Sequence, residues 1–250
     1  MRVETKAFAK LNLDLEVIRR RPDGYHEIRT TMQAVELNDT LVFAFTVGGE
    51  SSVTVTGFSL GNDGNSVLKA HAALERASGK KFPIGAELHK RIPPGSGMGG
   101  ASSDAAATLL ALKNAAKLDD VDLEPIAAEI GSDVPFFLHG GAALVEGRGE
   151  KVTPVDTTTP AWFAIAWPGI QLSTKTVYQV WDEVGGKDLR RAAEHVEPRL
   201  KDFATMLGEG WRMTGSGSAF FKSAATENEA GVAIRGLDCW TAVTRAIDRW

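Results

Sequence analysis

Apolar and polar residues alternate near the start of the chain in a way that predicts strands. Leu11, Leu13, Leu15 and Val17 are separated by Asn12, Asp14 and Glu16, a period of two that sends one row to each face and predicts a strand over residues 3 to 18. Pro22-Asp23-Gly24 predicts a tight turn, because proline presets one φ and glycine takes the positive one. Strands then follow over about 25 to 37, 40 to 47 and 52 to 56, with Gly48-Gly49 before the last, so the chain opens as an antiparallel sheet. Asn65 or Ser66 caps a predicted helix to about Ala77 that Gly79 ends, and Glu87 to Ile92 reads as a short strand.

That strand leads into Gly95-Ser96-Gly97-Met98-Gly99-Gly100, and an Ala- and Leu-rich run with strong helix propensity follows at once. A backbone without Cβ atoms that empties into a helix N-terminus is a candidate anion cradle. The string matches G-x-G-x-x-G, but Pro93-Pro94 precedes it, and Ala101-Ser102-Ser103 stands where a Walker loop needs Lys-Ser or Lys-Thr. The plainer alternative is a glycine-rich connection capped by Ser102 or Ser103. Farther on, Asp122 caps a short helix to Ile130 with Gly131 at its C′ position, and residues 142 to 146 and 151 to 155 form a hairpin around Gly147-Arg148-Gly149. Thr157 to Pro160 reads as the linker, and beyond it the order of elements is β-α-β-β-α-β with extra helices, which suits a ferredoxin-like domain.

Composition narrows the function classes. A chain of 250 residues, 43% hydrophobic, buries one large core or two modest ones. A net charge of −4 without a basic run argues against a nucleic-acid partner. The one cysteine, Cys239, excludes an internal disulfide and a thiolate metal cluster. With no signal-peptide pattern at the start and no apolar run of membrane length, the expected location is cytoplasmic and no membrane partner is expected.

Lys10 in AKLNLDL, the glycine loop, Gly131-Ser132-Asp133-Val134-Pro135 and Thr214-Gly215-Ser216-Gly217-Ser218 form one ordered set. In this the chain resembles, over nearly its whole length, the GHMP kinase superfamily. RPDGYHEI, PPGSGMGGASSDAA and GSDVPFF, together with AKLNLDL, resemble the branch of it that phosphorylates a cytidine diphosphate-linked methylerythritol in the non-mevalonate isoprenoid route. The resemblance implies an α+β, two-domain GHMP kinase fold, with a ribosomal-protein-S5-like α/β domain over residues 1–156 and a ferredoxin-like domain over 157–250. It implies ATP with Mg²⁺, and transfer of the γ-phosphoryl to the 2-hydroxyl of the methylerythritol unit.

Site residues follow from the same resemblance. Lys10 and Asp133 are implied to be catalytic, and a carboxylate that takes the alcohol proton while a cation neutralises phosphoryl charge is sound chemistry for this transfer. Pro93, Pro94, Gly95, Ser96, Gly97, Met98, Gly99, Gly100, Ala101, Ser102 and Ser103 are implied to wrap the ATP phosphates, with Met98 and Ala101 departing mildly from the usual pattern. Asp104 is expected to point away from that phosphate. Tyr25 and His26 are implied to recognise cytosine, with Tyr178 on the other face of the base; Asn12 shares a strand face with Lys10 and suits a bond to Lys10 or to substrate. Thr174 either caps a helix or touches substrate. His71, His89, His139 and His195 lack metal spacing and read as structural; the Mg²⁺ ligands and the oligomeric state stay unassigned. Two rivals remain: a kinase of a nucleobase-free alcohol such as homoserine or mevalonate, and a silent ligand sensor on the same fold.

Overall fold

A computed structural model describes residues 2–59, 65–156 and 161–248. The expected linker at Thr157 to Pro160 lies outside the described residues. Two compact units interleave along the chain: the first takes Met1–Ala9, Asn38–Pro94 and Gly99–His139, the second Lys10–Leu37, Gly95–Met98 and Gly140–Trp250.

In the first unit, the later part of strand β3 (His26–Phe45) pairs antiparallel with β5 (Ile84–Lys90), and β5 pairs parallel with β4 (Ser52–Gly57). Helices α1 (Ser66–Ser78), α2 (Gly100–Ala115), α3 (Leu123–Ile130) and α4 (Phe136–His139) belong to the same unit. Asn65 caps α1 by accepting from the Val67 N–H, and Gly79 stops it at a φ of 66°, as the sequence predicts. Gly131 differs: its φ is −179°, so α3 ends in extended backbone rather than on a left-handed glycine.

β3 is one strand of 20 residues where the sequence suggests two. Asn38-Asp39 reads as a break, yet Asp39 is fully buried, and its carboxylate accepts hydrogen bonds from the Arg91 and Ile92 N–H groups and from Lys90. Its polar demand is met by β5 and the residues after it, so no turn is needed. The opposite happens earlier: the predicted strand over 3 to 18 splits into β1 (Arg2–Asn12) and β2 (Glu16–Arg20). Asp14 captures both the N–H and the hydroxyl of Thr31, at 2.6 and 2.9 Å, and this side-chain competition interrupts the ladder.

In the second unit, the earlier part of β3 pairs with β2 and with β6 (Ala142–Gly147), and β6 turns back into β7 (Lys151–Pro154) as the expected hairpin. A separate four-stranded antiparallel sheet has the order β11-β8-β10-β9, from Trp240–Arg245, Trp162–Trp167, Phe220–Ala224 and Arg212–Met213. Numbered along the chain from β8, that order is 4-1-3-2, the arrangement that split β-α-β units produce. Helices α5 (Thr174–Val184), α6 (Arg190–Val196), α7 (Arg199–Leu207) and α8 (Glu227–Ala233) fill the connections. Val177, Ala192, Ala193, Leu200 and Ala230 from these helices bury themselves with Ala164, Ala166 and Phe220 of the sheet in one core. No helix among the described residues is long and apolar enough to cross a membrane.

Candidate active site

Near the end of β1, in the second unit, Lys10 and Asn12 are both 3% exposed, and the two-residue period puts them on one face. The Lys10 ammonium donates to Asn12 Oδ1 and, at 2.7 Å, to the Gly97 carbonyl oxygen. Asn12 is held in turn: its Nδ2 donates to Thr30 Oγ1 at 2.9 Å, and its backbone N–H donates to Thr214 Oγ1 at 3.0 Å. A Cβ placed on Gly215 would lie 3.1 Å from Lys10 Nζ and 3.0 Å from Asn12 Oδ1, so the second small-residue loop passes directly over this pair. Lys10 is therefore desolvated and aimed, with its charge taken up by oxygen acceptors.

The glycine loop is tied down residue by residue. Over Gly95–Met98, the Gly95 oxygen accepts from the Leu172 N–H, the Ser96 oxygen from the Ala219 N–H, and the Met98 oxygen from the Lys10 N–H. Gly97 has a φ of 80°, and a Cβ there would sit 2.2 Å from the Thr214 oxygen, so the close approach of two backbones requires glycine. Met98 is fully buried, which explains how a longer side chain serves here: it packs inward and leaves its carbonyl to Lys10.

Over Gly99–Ser103, in the first unit, α2 begins with Gly99 as its N-cap at a φ of 74°, with no side chain capping it. Ser102 and Ser103 thus lie inside the first turn, not at the cap, and the N-terminal N–H groups are open to an anion. Asp133, half-buried, follows Gly131 in a turn that Val134 closes by donating to the Gly131 oxygen at 3.2 Å. Ser102 Oγ lies 4.0 Å from where a Cβ on Gly131 would stand, so the first turn of α2 and the Asp133 turn are neighbours.

Aromatic residues gather elsewhere in the second unit. His26, 7% exposed, stacks on Tyr178 with ring centroids 4.7 Å apart and planes at 25°, and meets the edge of Trp181 at 5.4 Å. Tyr25 is 49% exposed, with the Arg148 guanidinium 4.9 Å from its ring centroid, a cation over one aromatic face. Ser173, not Thr174, caps α5; the Thr174 hydroxyl instead shares a 2.9 Å hydrogen bond with Ser216 Oγ.

Comparison with known proteins gives the family. The family described as GHMP kinases N terminal domain matches residues 65–141. A 4-diphosphocytidyl-2-C-methyl-D-erythritol kinase of Pseudomonas syringae pv. syringae is 35% identical over 89% of this chain and 85% of its own length. The enzyme of that name from Thermotoga maritima is 38% identical over 87% of this chain and 90% of its own. This chain belongs to the GHMP kinase family. A solved structure described as 4-(cytidine 5'-diphospho)-2C-methyl-D-erythritol kinase superposes with a TM-score of 0.80 at 32% identity, covering 98% of this chain and 99% of that one.

Two features of this GHMP kinase were not legible as site chemistry in the sequence. In the first unit, the buried Lys90 ammonium bonds both Asp39 and Asp104, the latter at 2.7 Å, and lies 3.2 Å from where a Cβ on Gly100 would be. Asp104 is thus committed to Lys90. Burial, reinforced by the charge of Asp39, pushes the Asp104 carboxyl up to about 7 although Lys90 works against it. Burial alone would lower Lys90, but the two carboxylates outweigh it and hold it above its ordinary value. In the second unit, a cavity of about 320 Å³ opens beside Asn12 and Gly215, with Lys187, Arg190 and Arg212 in its wall next to Asp14 and Asp188. Scattered basic residues carry no spacing that would have marked them.

Proposed function

We propose that this chain transfers the γ-phosphoryl group of ATP to the 2-hydroxyl of 4-diphosphocytidyl-2-C-methyl-D-erythritol, a step of non-mevalonate isoprenoid synthesis. The observation that carries this reading over other alcohol kinases of the superfamily is the His26–Tyr178 stack with Tyr25 exposed beside it in sequence. A kinase of a nucleobase-free alcohol has no use for such a set, whereas stacking is worth ~1–3 kcal/mol per base.

The chemistry assigns each residue a task. The substrate hydroxyl oxygen forms a bond to the γ-phosphorus as the bond to the β-phosphate oxygen breaks, and ADP leaves. Asp133 receives the hydroxyl proton. Lys10 supplies a fixed positive charge for the phosphoryl oxygens, already desolvated and needing little reorganisation. The transition state of such transfers is loose, so positioning carries more of the rate than proton abstraction. Residues 93–103 hold the phosphates of ATP through backbone N–H groups and the Ser102 and Ser103 hydroxyls. Mg²⁺ would arrive on the phosphates of ATP, where the Ser102 or Ser103 hydroxyl in the first turn of α2 would help to hold it. Bound there, Mg²⁺ would neutralise phosphate charge. Asn12 and Thr174 are assigned to the substrate, and Tyr25, His26 and Tyr178 to its cytosine. On this reading the protein works in the cytoplasm, with residues 1–156 and 157–250 as its two domains.

The test is ATP consumption by the purified protein with Mg²⁺ and the cytidine substrate, run beside homoserine, mevalonate and the uridine analogue. Product from the cytidine compound alone is the expected result. Turnover of homoserine or mevalonate instead would keep the kinase and remove the cytosine site. Binding without turnover would favour a sensor.

A further inference from the structure

One nitrogen of the His26 ring is already committed. His26 Nε2 lies 2.8 Å from Asp182 Oδ1, and an ionised carboxylate only accepts, so the hydrogen of a neutral His26 ring sits on Nε2. Nδ1 is then an acceptor, and among the described residues it has no hydrogen-bond partner. The ring cannot easily turn over: Tyr178 stacks on it and the edge of Trp181 closes against it. Tyr178 and Asp182 are four residues apart on α5 and so share one helix face, which presents both the stacking ring and the carboxylate to His26. Asp182 is itself steadied by Arg20, whose Nε lies 3.5 Å from its second oxygen, and its side chain is 23% exposed.

We infer that Asp182 is a positioning residue for base choice, acting through His26. This rests on the cytosine reading above and deepens it. With Nδ1 held as an acceptor, His26 pairs with an exocyclic amino group such as that at position 4 of cytosine. The carbonyl that uracil carries at the same position would bring two acceptors together and leave both unpaired. Sites built on such hydrogen bonds reject the wrong partner far better than apolar pockets do. Sequence alone hides the pairing, because the two residues stand 156 positions apart.

Asp182→Asn tests this. The amide can donate to Nε2, which releases the opposite tautomer and turns Nδ1 into a donor. For wild type, D182N and D182E, kcat and KM are measured with the cytidine substrate and its uridine analogue. The expected result for D182N is a fall of about tenfold or more in the cytidine-to-uridine ratio of kcat/KM, carried by KM, with kcat changed less than about threefold. D182E, which keeps an acceptor, recovers most of the ratio. Nitrogen-15 spectra of the His26 ring, assigned with a His26→Asn variant, should report hydrogen on Nε2 in wild type and a shift toward Nδ1 in D182N. Hydrogen on Nδ1 in the wild-type protein would overturn the inference without any variant. So would a D182N enzyme that loses activity on both compounds equally, since that marks a structural role and leaves the cytosine reading intact. Equal use of both compounds by wild type would remove the cytosine reading and this inference with it.

Discussion

The Lys10 ammonium donates a 2.7 Å hydrogen bond to the carbonyl oxygen of Gly97, 87 residues farther along the chain. The proposed catalytic cation is thus tied directly to the Gly95–Met98 part of the proposed phosphate loop. Gly97 holds a positive φ against the Thr214 carbonyl, and a methyl group there has no room. Gly97→Ala should lower kcat/KM by about 100-fold or more, because a displacement of about an ångström at a reacting centre costs that much. Gly79→Ala is the control: its φ is also positive but its surroundings are open, so it should cost about 1 kcal/mol of stability and leave activity unchanged. Equal effects on turnover from both would separate the loop from the chemistry.

Asp133→Asn keeps the size of the side chain and removes its capacity to take a proton. The expected change is a fall in kcat of about 10²- to 10⁴-fold with KM for ATP little altered. Steady-state kinetics at saturating ATP decide it. Retention of wild-type kcat would assign the proton to another acceptor.

Asn12 is oriented by its two ends, oxygen toward Lys10 and nitrogen toward Thr30. Thr30 is fully buried, so Thr30→Val keeps the shape and strands the Asn12 amide nitrogen without its acceptor. The expected loss is about 1–3 kcal/mol of unfolding free energy in a urea titration. A loss near zero would mean that Asn12 finds another partner.

The raised carboxyl of Asp104 makes stability depend on pH. Its value in the fold is about 7 against an ordinary 3.8, so the folded chain binds the proton more tightly than the unfolded chain does. Stability contributed by that proton is complete below about pH 4 and is lost as pH rises toward and through about 7. Asp104→Asn imitates the protonated form at all pH values. Thermal unfolding at pH 5 and pH 8 should show the wild type losing stability relative to the variant at the higher pH. Parallel slopes for the two proteins would show that Asp104 keeps its charge throughout.

Turn and cap residues were the most legible part of the fold. Asn65 and Gly79 around α1, and Asp122 before α3, act on backbone groups within a few positions, so local sequence contains the whole interaction. Thr174 reads in the sequence as either a helix cap or a substrate contact; Ser173 takes the cap of α5, since adjacent hydroxyls have nearly equal local capacity, and the partner of Thr174, Ser216, lies 42 residues away. Asn38-Asp39 misled for a related reason. Their type predicts a turn, and only the backbone of Arg91 and Ile92, more than 50 residues on, makes Asp39 a strand residue.

By itself the sequence determined most of the strands and helices, the two glycine-rich loops and the place of Lys10 and Asn12 on one strand face, because periodicity and backbone freedom are local properties. Only the tertiary structure decided which charges meet. Lys90 between Asp39 and Asp104, Lys10 against Gly97, and His26 against Asp182 each join segments that no spacing rule connects. A buried polar group must find its partner wherever the fold brings one, and that partner can be any distance away in the chain.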